Sequence, residues 1–529
     1  MMKKAIKKLL AALLAVAMLC AMAVPALAAT EDITNHSFSA FQIFKGNVDG
    51  STLSNVEWGT GIKKDDLLNK LTTDSILSTY FPGITTTSTA AEVAAKMNGW
   101  AETDAKTTAF AKAVSECLAD TATYTSTSSS IHFNDAGYYL IKDTTILTPT
   151  EYKVANISLL KVTDANSNVS VKSKVEKPTV TKQVEDNDDG VTTGDNNGFG
   201  SSADHAIGEV FRFKLTANVP VSTNNSYDFY KYYKVAFSDT MIEGLTFDGI
   251  ESVTIESGSD NKTLNDTEYH YLDYSSAHSR NGFELTIPDV KKLVTNLNSG
   301  ATITVLYKAH LNEKAIVTTA SGNTGNWNKV SLQYSNNPNV EDSFDTTPYE
   351  EVYVFTYKLN NTKRQDSETG DVLEGAGFRL YSNAACNDTD EIKLKKNTTD
   401  GTYSRYFGNE AGEEMKSAAD GTFNVKGLDA GTYYLKETST PTGFNTCPVT
   451  TVVIKANHTG NDVKLTGSTI NGADVGASGL STTIINIKAG GITLPSTGGI
   501  GTTLFYVVGG GLMVAAIVLL VTKKRMENK

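Results

Sequence analysis

The chain has 529 residues, a formal net charge of −12 and 20% charged residues. That acidic balance argues against nucleic acid or an anionic membrane surface as partner. Four cysteines exclude a disulfide-dense scaffold, and seven scattered histidines lack ligand spacing, so neither a metal site nor a cofactor is expected.

In chain order, Lys3, Lys4, Lys7 and Lys8 precede an apolar run from Leu9 to Val24, then Pro25 and Ala26-Leu27-Ala28. A basic stretch, a short apolar core and a small-residue cleavage site describe a secretory signal peptide over 1–28. Cys20 would leave with it. The remainder is long enough for about three domains at roughly 100–200 residues each.

The first unit, 29–172, mixes periods. Phe38 to Phe44 and Tyr138 to Ile141 read as strands, whereas Asp65 to Leu71, Ala90 to Met97 and Thr107 to Leu118 are Ala/Leu/Lys-rich and read as helices. A β-sandwich with a helical insertion is expected. The middle unit, 173–349, is nearly all strand, with Val210 to Ala217, Tyr230 to Phe237 and Ala301 to Tyr307 separated by polar turn clusters at β-sandwich spacing. Glu185 to Asp204 is acidic and Gly-rich and is expected to be a mobile surface loop. The third unit, 350–490, is again all β with tighter turns. The whole therefore reads as mainly β, a tandem of Ig-like sandwiches. Cys386 and Cys447 share the third unit, so an exported chain is expected to join them, leaving Cys117 unpaired.

An internal echo links two units. Gly137-Tyr138-Tyr139-Leu140-Ile141-Lys142-Asp143-Thr144 aligns without a gap to Gly431-Thr432-Tyr433-Tyr434-Leu435-Lys436-Glu437-Thr438. Each copy ends an apolar strand on one acid.

At 494–529 the chain reads Leu494-Pro495-Ser496-Thr497-Gly498, then an uncharged apolar run from Ile500 to Thr522, then Lys523, Lys524 and Arg525. The run is long enough to span a bilayer, and the basic tail marks its cytoplasmic end. This order resembles the LPxTG sorting signal of Gram-positive surface proteins. The resemblance implies that a sortase, a cysteine transpeptidase, cuts between Thr497 and Gly498 and holds the Thr497 carbonyl as a thioester. Loss of both ends would make the exported portion more acidic still.

Three stretches of the third unit carry a second resemblance: Val354 to Lys363, Leu373-Glu374-Gly375-Ala376-Gly377-Phe378-Arg379-Leu380, and Tyr434-Leu435-Lys436-Glu437-Thr438 with Pro441-Thr442-Gly443-Phe444. Together with the closing Ile484-Ile485-Asn486-Ile487 they resemble the collagen-adhesin B-type domain, and YLKETxxPxGF resembles its E-box. With the middle unit and the sorting signal, the chain is similar throughout to the backbone (major) pilins of sortase-assembled pili. In that family a first-strand Lys and a last-strand Asn join side chain to side chain, promoted by a nearby acid. The resemblance assigns Lys363 as nucleophile, Asn486 as electrophile and Glu437 as the acid that polarises the Asn carbonyl. In the middle unit Pro178-Thr179-Val180-Thr181-Lys182 and Phe237-Ser238-Asp239-Thr240-Met241 assign Lys182 and Asp239, with Asn328, or else Asn336, as acceptor.

The family also joins subunits through a Lys near the end of the first unit. Val169-Ser170-Val171-Lys172-Ser173-Lys174 fits V-x-V-x-x-K but lacks the family's Tyr-Pro pair, so Lys174 leads and Lys172 remains open. The implied partners are a class C-type pilus sortase, a housekeeping sortase, other pilin subunits and peptidoglycan, with any host ligand unnamed. The implied location is the cell-wall-anchored surface pilus. A monomeric wall-anchored adhesin or a minor pilin is the alternative. No catalytic triad or phosphate loop points to an enzyme.

Overall fold

The computed structural model describes residues 29–490 except 31–35, 51, 102–103, 129, 146, 148–158, 171–175, 187–197, 223–224, 275–280, 323 and 477–478. Strand Phe38–Asp49 is the spine of the first unit, pairing with Thr52–Trp58 on one side and Gly137–Asp143 on the other. Because side chains alternate across a strand, its two faces serve two cores. Phe41, Ile43 and Leu140 pack with Leu67, Leu71, Phe81, Val93, Phe110 and Val114 of the helices. Phe38, Ala40, Tyr139 and Ile141 pack with Ile131, Phe133 and Val169 of a two-stranded sheet, Ser130–Phe133 with Ser167–Ser170, on the opposite face.

The helices Lys64–Thr73, Ala90–Lys96 and Ala105–Ser115 fall where expected. The second is opened by a reciprocal capping box between Thr89 and Glu92. Together they form a layer over one sheet face.

The middle unit is two sheets. One runs in the order Phe199–Gly200, Thr179–Glu185, Val210–Val219, Ala301–Leu311, Leu245–Ser257, Asp260–Thr263. The other runs Ser202–Asp204, Glu350–Phe355, Asn326–Ser335, Val235–Met241, Gly282–Ile287, His270–Asp273. Their inward residues close one apolar core that includes Val184, Phe213, Phe237, Leu285, Tyr307, Val330 and Val354. The third unit repeats the plan with its own core, built on Tyr357, Leu359, Phe378, Val425, Leu435 and Val452. Its first strand, Tyr357–Gln365, lies parallel to and beside its last, Ser481–Asn486.

Four expectations are corrected. Strand Glu350–Phe355 pairs with Asn326–Ser335 and buries Val352 and Val354 in the middle core, so the expected break at 349/350 falls inside the middle sheet. Tyr230 to Lys234 is not strand. Tyr227, Tyr230 and Tyr233 instead pack edge to face, with centroids of Tyr227–Tyr233 and Tyr230–Tyr233 at 4.9 and 5.1 Å.

The loop expected over Glu185 to Asp204 has strands at both ends. Glu185, Ser202 and Asp204 are buried, and only its centre, 187–197, lies outside the described residues. Finally, Cys386 and Cys447 are free thiols. Cys386 follows the Tyr381 end of strand Gly377–Tyr381, whereas the Cys447 amide bonds to Glu437, which pairs with Phe378 at the other end.

Among the described residues no helix is long and apolar enough to cross a membrane. The segment Ile500 to Thr522, the signal peptide, Thr497, Gly498, Lys172 and Lys174 lie outside the described residues.

Candidate functional site: two buried lysine, acid and asparagine sets

A strand with one face in a core places every second residue inside. In Thr179–Glu185 the inward positions are Val180, Lys182 and Val184; in Tyr357–Gln365 they are Tyr357, Leu359, Asn361 and Lys363. Asp239, Asn328, Glu437 and Asn486 also occupy inward positions of their strands. Asn361 donates to the Phe423 carbonyl at 3.0 Å; the other six polar side chains sit where the pattern calls for apolar ones, three in each unit. Burying such groups unpaired is costly, so they must meet.

In the third unit Lys363 Nζ donates to Asn486 Oδ1 at 2.5 Å and to the Ile484 carbonyl at 3.3 Å. Asn486 Nδ2 donates to Glu437 Oε1 at 2.7 Å, and the Cys447 amide fixes Glu437 Oε2 at 2.8 Å. Lys363 and Asn486 are fully buried and Glu437 nearly so. Burial lowers the Lys363 pKa, which favours the neutral amine. The acid faces the carboxamide nitrogen, where the sequence reading placed it on the carbonyl.

In the middle unit Lys182 Nζ forms an ion pair with Asp239, both side chains fully buried. A fourth residue completes this set. Tyr307 accepts from Lys182 Nζ at 2.8 Å and from Asn328 Nδ2 at 2.8 Å, and donates to Asp239 Oδ2 at 2.9 Å. Phe213 and Tyr307 flank the amine, with ring centroids 5.2 and 5.3 Å from Nζ. Burial pulls the Lys182 pKa down to about 8, against the pull of Asp239 in the other direction. Burial likewise raises the Asp239 carboxyl.

Gly282 pairs with Thr240, the next residue after this acid, at φ +121°. A Cβ there would sit 2.3 Å from the Asp239 carbonyl oxygen, so a side chain would push the acid's strand away. Asn336 is buried eight residues beyond Asn328, at the other end of the strand, and accepts from Ser343 Oγ at 2.8 Å. The set therefore includes Asn328 and not Asn336.

Residues 207–338 match the Gram-positive pilin backbone subunit 2, Cna-B-like domain. Residues 360–469 match the SpaA prealbumin-like fold domain, and residues 486–528 the LPXTG cell wall anchor motif. The chain thus carries one pilin-backbone-type domain, one SpaA prealbumin-like domain and one anchor motif. It is 27% identical over 387 residues to the trypsin-resistant surface T6 protein of Streptococcus pyogenes serotype M6, an alignment covering 60% of this chain and 65% of that one. The chain thus spans just under two thirds of that relative's length.

Similar solved structures include the T6 backbone pilin of S. pyogenes, with 17% identity, 86% of this chain and 98% of that one covered, and a TM-score of 0.43. The full-length major pilin SpaD of Corynebacterium diphtheriae has 18% identity, 87% and 94% covered, and a TM-score of 0.42. The C-terminal fragment of the major pilin GBS80 of Streptococcus agalactiae has 24% identity, 59% and 100% covered, and a TM-score of 0.38.

The acid of the internal echo in the first unit, Asp143, is also fully buried. Its Oδ2 lies 2.8 Å from His36 Nδ1, where the middle unit presents a lysine. Tyr307 could not be singled out from sequence. It sits in phase in the strand Ala301–Leu311, like any core tyrosine. Its hydroxyl is the one group that touches Lys182, Asp239 and Asn328 at once, which gives it a positioning role in the middle set. Tyr307→Phe is expected to slow any reaction between Lys182 and Asn328 by about tenfold or more, with the fold retained. Intact mass followed during refolding would measure it. A rate equal to that of the unaltered chain would reduce Tyr307 to a packing residue.

Proposed function

We propose that the chain is the shaft subunit of a covalently polymerised surface pilus. Its middle and third units each close one intramolecular amide, Lys182 to Asn328 and Lys363 to Asn486. A sortase then joins the Thr497 carbonyl to the amine of Lys174 in the next subunit. The reading is carried by the recurrence of a buried lysine, acid and asparagine in two successive domains upstream of a sorting motif.

The chemistry follows from the arrangement. A neutral lysine Nζ attacks the asparagine Cγ, the C–N bond to the carboxamide nitrogen breaks, and ammonia leaves. The carboxylate takes the proton shed by the amine and returns it to the departing nitrogen, ending as it began. Packing holds the reactants together and supplies the effective concentration. Two charged or polar groups become one neutral amide, which removes the penalty of a buried ammonium.

On this reading Lys174, Thr497 and Gly498 are substrates of the pilus sortase, of class C type. A housekeeping sortase transfers the finished polymer to peptidoglycan. The missing Tyr-Pro pair ahead of Lys174 favours a second reading, a minor pilin or monomeric wall-anchored adhesin. A high-mass ladder on a denaturing gel separates the two, since only a shaft subunit gives one. The intact mass of the exported chain should fall short of its sequence mass by about 34 Da, about 17 Da for each ammonia lost. A chain at full sequence mass would remove the cross-links.

The middle cross-link should also depend on pH. The Lys182 pKa is lowered to about 8 by burial, so below that pH the reactive amine falls about tenfold per unit. Closure during refolding is expected to accelerate from pH 6 to 8 and to level off above. A rate that is flat or falls over this range would mean that amine deprotonation does not limit the step.

A further inference from the structure

Where the middle and third units meet, Asp186, Asp204 and His458 bring ligand atoms within 4.8 Å of one another. Asp186 follows strand Thr179–Glu185, Asp204 ends strand Ser202–Asp204, and His458 is the centre of strand Asn457–Thr459. The first two belong to the middle unit and the third to its neighbour. His458 Nε2 lies 3.4 Å from Asp186 Oδ2, and the two side chains are 0% and 6% exposed. Neither carboxylate oxygen of Asp186 has a hydrogen-bond partner. A buried carboxylate left in that state is expensive unless a cation meets it.

The surroundings orient the donors. Ser202 Oγ is 2.9 Å from His458 Nδ1, and with the ring proton held there Nε2 presents its lone pair to the carboxylates. Phe355 stacks on the ring at 5.8 Å between centroids. Tyr357 donates to Asp204 Oδ2 at 2.7 Å and holds that carboxylate at the cluster. The 3.4 Å between Nε2 and Oδ2 equals the edge of a tetrahedron with bonds of about 2.1 Å. One imidazole and two carboxylates suit zinc-like ions, whereas calcium requires six to eight oxygens.

We infer that Asp186, Asp204 and His458 form a binding site for a divalent transition-metal ion of the zinc class, which staples the middle unit to the third. Ligand spacing could not announce it, because Ser202 and His458, which frame it, stand 256 residues apart. A second cluster nearby, His205, Glu209 and Asp429, is built differently. There the ring nitrogens already face the Glu185 carbonyl at 2.7 Å and Glu209 Oε1 at 3.8 Å, and Glu209 is 28% exposed. It serves as the control.

The test uses the purified full chain, stripped with EDTA and desalted, then titrated with zinc chloride by calorimetry. Bound metal is counted after gel filtration, and circular dichroism checks the fold of each variant. The unaltered chain and H205Q should hold one zinc per chain. H458Q and D186N should each lose it, and cobalt(II) should give tetrahedral d–d bands that vanish in the same two variants. A tenfold excess of calcium should not displace zinc. Equal zinc uptake in H458Q and the unaltered chain, loss in H205Q instead, no uptake at all, or displacement by calcium would each overturn the assignment.

Discussion

Glu437→Ala is expected to leave the third unit without its cross-link, so that the chain's shortfall from its own sequence mass drops from about 34 to about 17 Da. Glu437 is the residue that holds the Asn486 carboxamide nitrogen, at 2.7 Å, and without it nothing carries the proton from the amine to the leaving group. The stability loss should be large. The amide would close a loop between residues 123 positions apart, and constraining the unfolded chain over about 100 residues is worth about 4.7 kcal/mol.

The stability of the variant should also depend on pH. Burial lowers the Lys363 pKa in the folded state, so the unfolded state binds the proton more readily. The stability of the open form then falls as pH drops through the window between the two pKa values. Glu437→Gln, which keeps the shape but cannot accept the proton, should behave alike in mass. Equal mass deficits in the unaltered chain and both variants would remove Glu437 from the reaction.

Lys174→Ala, in cells carrying the matching sortase, is expected to abolish the high-mass ladder while leaving monomer on the wall. Lys172→Ala should leave the ladder intact. The proposed bond joins the end of one subunit to the junction of the first and middle units of the next. Such a head-to-tail contact is heterologous and does not close on itself, so it propagates as a fibre. Both lysines stand between strands Ser167–Ser170 and Glu176–Lys177, ahead of the middle unit. Swapped results would shift the register by two residues. A ladder unaffected by either change would place the linkage elsewhere and leave the wall-anchored adhesin as the better account.

The lysines and acids were legible through the resemblance of short motifs to a known domain type, and the inward position of Lys182 between Val180 and Val184 agrees with it. The helices were legible from their Ala, Leu and Lys content, to which the structure adds the capping box of Thr89 and Glu92 at one start. Partnership was not legible. Whether Asn328 or Asn336 meets Lys182 depends on which end of one strand crosses the other sheet. Strand pattern in Glu350–Phe355 tells that it is a strand but not which sheet it joins. Tyr230 to Lys234 reads as strand, yet the rings of Tyr227, Tyr230 and Tyr233 are satisfied by packing on one another. The disulfide expectation failed because sharing a unit is not proximity.

One residue, Thr356, separates the last strand of the middle unit from the first strand of the third. It is fully buried, its hydroxyl donates to the Leu428 carbonyl at 3.1 Å, and its own carbonyl accepts from the Thr318 amide at 2.7 Å. Strand Ser202–Asp204 runs parallel to Tyr353–Phe355 just before it. With one pinned residue in place of a linker, the two units have no swivel between them. They should tumble in solution as a single body, with one shared rotational diffusion tensor. Any bending of a longer assembly would then have to be taken up at other joints.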